Sequence, residues 1–115
     1  MLTDFLEEKL ELMAPDLMVV ELANLLWTRS ARGDISQAKA AQGLAEFLAL
    51  GLDLRASSAL SATALKLATT EKHPVYDMMY VSLAQQEGCE LVTADQKMIN
   101  KLGKKLPLLR WIGDF

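Results

Sequence analysis

The residues of this chain with the most chemical promise are three acids, Glu21, Asp77 and Asp95. Asp77 and Asp95 sit near the start and at the end of VYDMMYVSLAQQEGCELVTAD, residues 75–95, a stretch that is otherwise mostly uncharged. Glu21 interrupts Met18-Val19-Val20-Glu21-Leu22-Ala23, where an isolated charge is conspicuous. Asn24 follows three residues on and shares its helical face, with Thr28 one turn further. Carboxylates that converge on one point are oxygen donors of the kind hard divalent cations take. Without a cation they repel, by about 4 kcal/mol for two charges roughly 4 Å apart at an effective dielectric near 20.

Those acids need elements to place them. Thr3 suits an N-cap for a helix over Asp4–Leu12, which Ala14-Pro15-Asp16 breaks. Proline suits a first helical position, so a second helix is expected from Pro15 to Ala31, with Met18, Leu22, Leu25 and Leu26 at apolar spacing and Gly33 beyond its end. Asp34 or Ser36 starts a third, through Ala40, Leu44, Phe47 and Leu48 to a stop at Gly51. Leu52–Ala56 alternates and reads as a strand. Ser57 or Ser58 caps the next helix, which ends at Glu71-Lys72-His73 because a residue before proline avoids the helical region. Pro74 opens another helix, with Gly88 as its stop. Cys89–Thr93 is a strand, Ala94–Leu102 a short helix ending at Gly103, and Leu108–Ile112 a last strand.

Strands alternating with helices imply an α/β fold with a parallel sheet and helices packed on its faces. Sites in such sheets form at the carboxyl ends of the strands. Asp95 follows the strand ending at Thr93. Asp77 lies in the first turn of a helix running antiparallel to that strand, so the two carboxylates reach one rim. Bland readings compete with this one. Asp77 is favoured near a helix N-terminus by the macrodipole alone. Thr93-Ala94-Asp95-Gln96 matches a capping box. Glu21, Asn24 and Thr28 suit the wet stripe of an amphipathic helix.

Composition sets outer bounds. A chain of 115 residues, 51% of them hydrophobic, fits one folded domain spanning 1–115. A net charge of −3 argues against binding to nucleic acid by bulk charge. Cys89 is the one cysteine, which excludes an intrachain disulfide and fits a reducing cytosol. The N-terminus carries four acids and no basic stretch ahead of an apolar block, unlike a signal peptide, and no apolar run is long enough to cross a bilayer. A cytoplasmic protein is expected. His73, the lone histidine, reads as a helix-end residue. Cys89 reads as a buried strand-edge thiol, Met78 and Met79 as packing, and Trp27, Trp111, Tyr76 and Tyr80 as core or interface. Arg29, Arg32, Lys97 and Lys101 read as solvated surface that could flank a rim and touch phosphate.

The segments APDLMVVELANLLW, ALKLA and VYDMMYVSLAQQEGCELVTADQKM stand in an order that resembles the PIN-domain family, and within it the VapC-like toxins of toxin–antitoxin pairs. Tyr76-Asp77, the LA-x-x-x-G of Leu83–Gly88 and the T-A-D of Thr93–Asp95 carry the likeness, which spans nearly all of the chain from Ala14 on. It implies a three-layer α/β/α sandwich and a ribonuclease dependent on Mg²⁺ or Mn²⁺, acting on RNA, with an antitoxin as partner. It places the acidic site on Glu21, Asp77 and Asp95. Asp77 and Asp95 would hold the metal, Glu21 would hold it through water or orient the nucleophile, and Thr93 and Asn24 would support them.

The family normally opens with a strand ending in aspartate ahead of its first helix, and no such strand is legible here. Asp4 stands beside a helix start, and Asp16 belongs to a loop-to-helix junction. The chain is thus expected to be an N-terminally truncated PIN-like domain, short of one metal ligand, or to have a native start further upstream. Loss of an interior strand leaves a sheet that must close up, keep a slot or accept a strand from elsewhere, so an altered sheet or a homo-oligomer is expected. A catalytically weak protein acting by self-association or antitoxin binding is the alternative function.

Overall fold

The computed structural model describes residues 13–114. The helix expected over Asp4–Leu12 lies outside the described residues. Those described fall into two compact units, 13–56 and 57–114.

The first unit opens with strand β1, Met13–Pro15, followed by helix α1, Leu17–Ala31, helix α2, Gln37–Ala49, and strand β2, Asp53–Arg55. β1 and β2 run parallel, with Met13 opposite Asp53, Ala14 opposite Leu54 and Pro15 opposite Arg55. This corrects the expectation that Pro15 starts the helix. The Asp16 N–H donates to the Arg55 carbonyl at 2.7 Å, so the backbone stays paired with β2 past Pro15, and Asp16, not Pro15, leads into the helix as its N-cap. Proline is tolerated at this strand end because it has no N–H to lose. Of the two starts the sequence offered, Asp34 and Ser36, it is Ser36 that caps α2, its Oγ accepting from the Lys39 N–H at 3.1 Å. Gly51 closes the turn after α2 with φ +69°, a conformation that favours glycine. The α1 stripe is shallow: Met18, Leu22 and Leu26 are half-buried, whereas Leu25 is exposed. Neither α1 nor α2 contains a fully buried residue.

The second unit comprises helix α3, Ser57–Glu71, helix α4, Val75–Glu87, strand β3, Leu91–Thr93, helix α5, Gln96–Leu102, strand β4, Leu109–Trp111, and a 3-10 turn, Ile112–Asp114. β3 and β4 pair in parallel, Leu91 opposite Leu109 and Thr93 opposite Trp111. α4 packs against α3 and β3, and α5 packs on β4. Six residues of α4, Met78, Met79, Val81, Ser82, Leu83 and Ala84, are buried, so this helix is covered nearly all round. The Ser82 hydroxyl is satisfied by the Met78 carbonyl at 2.7 Å. Leu60 and Ala64 of α3, Met98 and Leu102 of α5, and Leu106 and Leu109 complete this core.

Gly88 ends α4 with φ +64°, and the Cys89 N–H returns to the Ala84 carbonyl at 3.0 Å. Cys89 therefore belongs to the helix-capping turn. It is exposed, not a buried strand thiol, and β3 begins two residues later than expected. The α/β class with short parallel strands is as the sequence implies. Among the described residues, however, the strands form two separate pairs, β1–β2 and β3–β4, in place of one continuous sheet. No helix among the described residues is long and apolar enough to cross a membrane.

Candidate functional site

Asp77 lies in the first turn of α4, after the Pro74 N-cap, where the helix dipole favours a negative charge. Its side chain is 40% exposed, and Oδ2 lies 2.6 Å from His73 Nε2. The histidine is the more enclosed partner, with a side chain only 10% exposed. Its other ring nitrogen, Nδ1, is 3.4 Å from Lys101 Nζ at the C-terminal end of α5. Lys101 also donates to the Lys72 carbonyl. Lys101, His73 and Asp77 thus form one hydrogen-bonded row joining the last turn of α5 to the first turn of α4.

The chain is shaped for this row between α3 and α4. Lys72 takes φ +52°, a left-handed conformation that costs a non-glycine residue about 1–2 kcal/mol. The His73 N–H returns to the Ala68 carbonyl at 3.2 Å, and Pro74 then fixes the entry to α4. These constraints hold the His73 backbone on both sides. Glu71 lies in the same corner, with Oε2 buried and not hydrogen-bonded and Lys105 Nζ 3.9 Å away.

Asp95 is the N-cap of α5, with Oδ1 accepting from the Met98 N–H at 3.1 Å. The cap is therefore Asp95, not Thr93 as a capping box requires. Thr93 instead accepts the Asp95 N–H on its hydroxyl at 3.0 Å, fixing the backbone from which the aspartate projects. Asp77 and Asp95 each commit one carboxylate oxygen to a protein partner and keep the other as a hard oxygen donor. Ions of the Mg²⁺ kind keep several waters and take one or two carboxylates plus phosphate oxygens. The oxygen that each aspartate leaves over is of the donor type such an ion takes. Among the described residues, no group of three or more His, Cys, Asp or Glu side chains could hold a metal.

Glu21 belongs to the other unit, exposed on α1. Asn24 is exposed on the same helix, and its carbonyl accepts the Thr28 hydroxyl at 3.0 Å. The polar stripe read from the sequence is therefore present.

The remaining candidates divide. Arg29 makes a long ion pair with Asp34 at 3.9 Å, and Arg32 and Lys97 are exposed. Lys101 is also exposed, and its ammonium contacts the Lys72 carbonyl and His73 Nδ1. Trp27 and Tyr76 are 67% and 68% exposed, which excludes them from the core. An open cleft of about 400 Å³ between α1 and α2 is lined by Ala23, Leu26, Trp27 and Leu44 among others, with no titratable side chain. That cleft does not include the acids. Reading the sequence missed His73 and Lys101. The spacing His73-x-x-x-Asp77 was a signal, but Pro74 argued that the histidine stood outside the helix and so off its face.

Comparison with known proteins identifies the family. The PIN domain family model matches residues 2–105. Ribonuclease VapC3 of Pyrobaculum aerophilum is 37% identical over 97 residues, covering 79% of this chain and 71% of the relative. With a family match that takes in Asp77, Asp95 and both units, the chain belongs to the PIN domain family.

Proposed function

We propose that this chain is a metal-dependent endoribonuclease of the VapC type, cleaving RNA phosphodiester bonds by hydrolysis. The observation that carries the reading is Asp77: a half-exposed carboxylate at a helix N-terminus, fixed by His73, in a PIN domain similar to a ribonuclease. A bound Mg²⁺ or Mn²⁺ would lower the pKa of its water and offset charge on the scissile phosphate. Asp77 and Asp95 would each give it the oxygen left over from their protein contacts. Thr93 steadies Asp95, and Glu21, assigned by family likeness, orients the attacking water, with Asn24 beside it on α1. The family match runs across both units, which supports one PIN domain over the whole chain. RNA is then the substrate, an antitoxin protein the regulatory partner, and the cytoplasm the setting.

The test is Mn²⁺-dependent cleavage of mixed RNA by the full chain, beside Asp77→Asn and Asp95→Asn. Asparagine preserves the α5 cap, so Asp95→Asn removes charge without removing the helix start. Each variant is expected to lose roughly 10²–10³-fold in rate, the usual effect of removing one charge-stabilising group. Cleavage that persists in both variants sinks the assignment.

A second reading has one observation in its favour: no described group of three metal-ligating side chains exists. On that reading the protein is a catalytically weak PIN domain acting by self-association or antitoxin binding. Absence of cleavage, together with a concentration-dependent dimer in sedimentation, would support it.

A further inference from the structure

We infer that His73, held by Lys101, is the positioning residue for Asp77 as a cation ligand. This rests on the metal-dependent reading above and adds to it two residues that are neither ligands nor part of the acidic set. The Lys101 contact is the ground on which the ring hydrogen is assigned. An ammonium offers donors and no acceptor, so the Nδ1 facing Lys101 Nζ is the accepting nitrogen. Nε2 then carries the ring hydrogen and donates to Asp77 Oδ2 across 2.6 Å. The order of donation is Lys101 to His73 to Asp77. One oxygen of the carboxylate is fixed, and with it the direction of the other.

The row is built to keep its shape. The His73 side chain is nine-tenths enclosed, so its ring has little freedom. Its backbone is set by the bond to Ala68 and by Pro74. Lys101 closes the arrangement from α5 by binding the carbonyl of left-handed Lys72, and α5 starts at Asp95. The same short helix thus carries one candidate ligand at its N-cap and, at its other end, the lysine that orients the group holding the second. A carboxylate anchored through one oxygen gives a cation a defined ligand, where a free one would have to be ordered on binding. Groups in this supporting role typically contribute roughly 10–100-fold to metal affinity.

The experiment measures Mn²⁺ affinity of the full chain by calorimetry for the native protein, His73→Ala, His73→Gln, Asp77→Asn and the His73→Ala/Asp77→Asn double variant. Glutamine places an N–H donor near the position of Nε2. Expected are a roughly 10–100-fold loss in His73→Ala, recovery of most of it in His73→Gln, and no further loss from His73→Ala once Asp77 is asparagine. A second readout uses the single histidine, whose ring nitrogens give an unambiguous NMR spectrum. A protonated Nε2 with a bare Nδ1 is expected in the metal-free protein in alkaline buffer, which decides the geometry even if His73→Ala does not fold. Native affinity in His73→Ala, equal losses in the alanine and glutamine variants, or the opposite tautomer would overturn the inference. If Asp77→Asn abolishes binding while His73→Ala leaves it intact, only the positioning role fails. If the native chain binds no Mn²⁺, or Asp77→Asn binds it normally, the metal reading itself fails and this inference falls with it.

Discussion

Residues 13–56 and 57–114 share two parallel three-residue strands and a pair of helices of 15 and 13 residues, to which the second adds a short helix and a 3-10 turn, yet they differ in what they bury. In the second region α4 is enclosed on almost every side, and Met78, Val81 and Leu102 are fully buried. In the first, only Ala14 and Pro15 of β1 are buried, while Val20, Leu25, Trp27, Leu48 and Leu50 stand exposed. Hydrophobic stabilisation scales with apolar area taken from water, so the second region holds most of the packing within its own boundaries. It is also the region that fixes Asp77 through His73 and Asp95 through its cap.

The comparison breaks most readily at its largest difference. Leu102→Ala, in the second core, should cost about 2–5 kcal/mol in denaturant unfolding, the usual range for a buried leucine. Leu25→Ala, at a residue 52% exposed on α1, should stay within about 0.5 kcal/mol. Equal losses would mean that the apolar surface of the first region is covered in solution.

The helix caps sharpen the contrast on a smaller scale. Ser36→Ala and Asp95→Ala each remove one side-chain cap, worth about 1 kcal/mol. If the regions differ in cooperativity, hydrogen exchange will show the Ser36 loss confined to α2 amides. The Asp95 loss should spread through the second core. Uniform spreading of both would show that the chain unfolds as a single unit.

The smallest effect concerns the β2 pair. Arg55 donates to both carboxylate oxygens of Asp53, at 3.0 and 2.9 Å, and this hydrogen bonding holds the aspartate below its ordinary 3.8. A lowered folded pKa means the contribution is complete above 3.8 and fades as pH falls through the depressed value. The pair is exposed, so its loss should be visible by NMR titration of Asp53 but barely in global unfolding. Arg55→Met should return the titration toward the ordinary value and lower stability at neutral pH only slightly, as expected for an exposed pair.

Much of this architecture was legible from local chemistry. Ser36 as a cap, Gly51 and Gly88 as left-handed stops, and the break at His73-Pro74 depend on residues within one turn of each other, and each stands where the sequence placed it. Apolar periodicity also located α1 and α2, because a helix repeats its buried face every few residues. Errors occurred where a distant partner competed. Pro15 was read as a helix start until β2 claimed the backbone through Asp16. Cys89 was read as strand until the Gly88 turn claimed its N–H. Thr93 was one candidate N-cap until the structure put Asp95 there.

The sequence by itself determined which acids were worth attention, the family they point to, and the helix boundaries that caps and glycines impose, since these are matters of residue type and near-neighbour sterics. The spacing of His73 and Asp77 is local, but only the tertiary structure decided that Lys101 stands behind the pair. That row joins residues 28 positions apart through a left-handed turn and a buried ring. No local propensity encodes a contact of that range; it exists because the fold brings the end of α5 to the turn between α3 and α4.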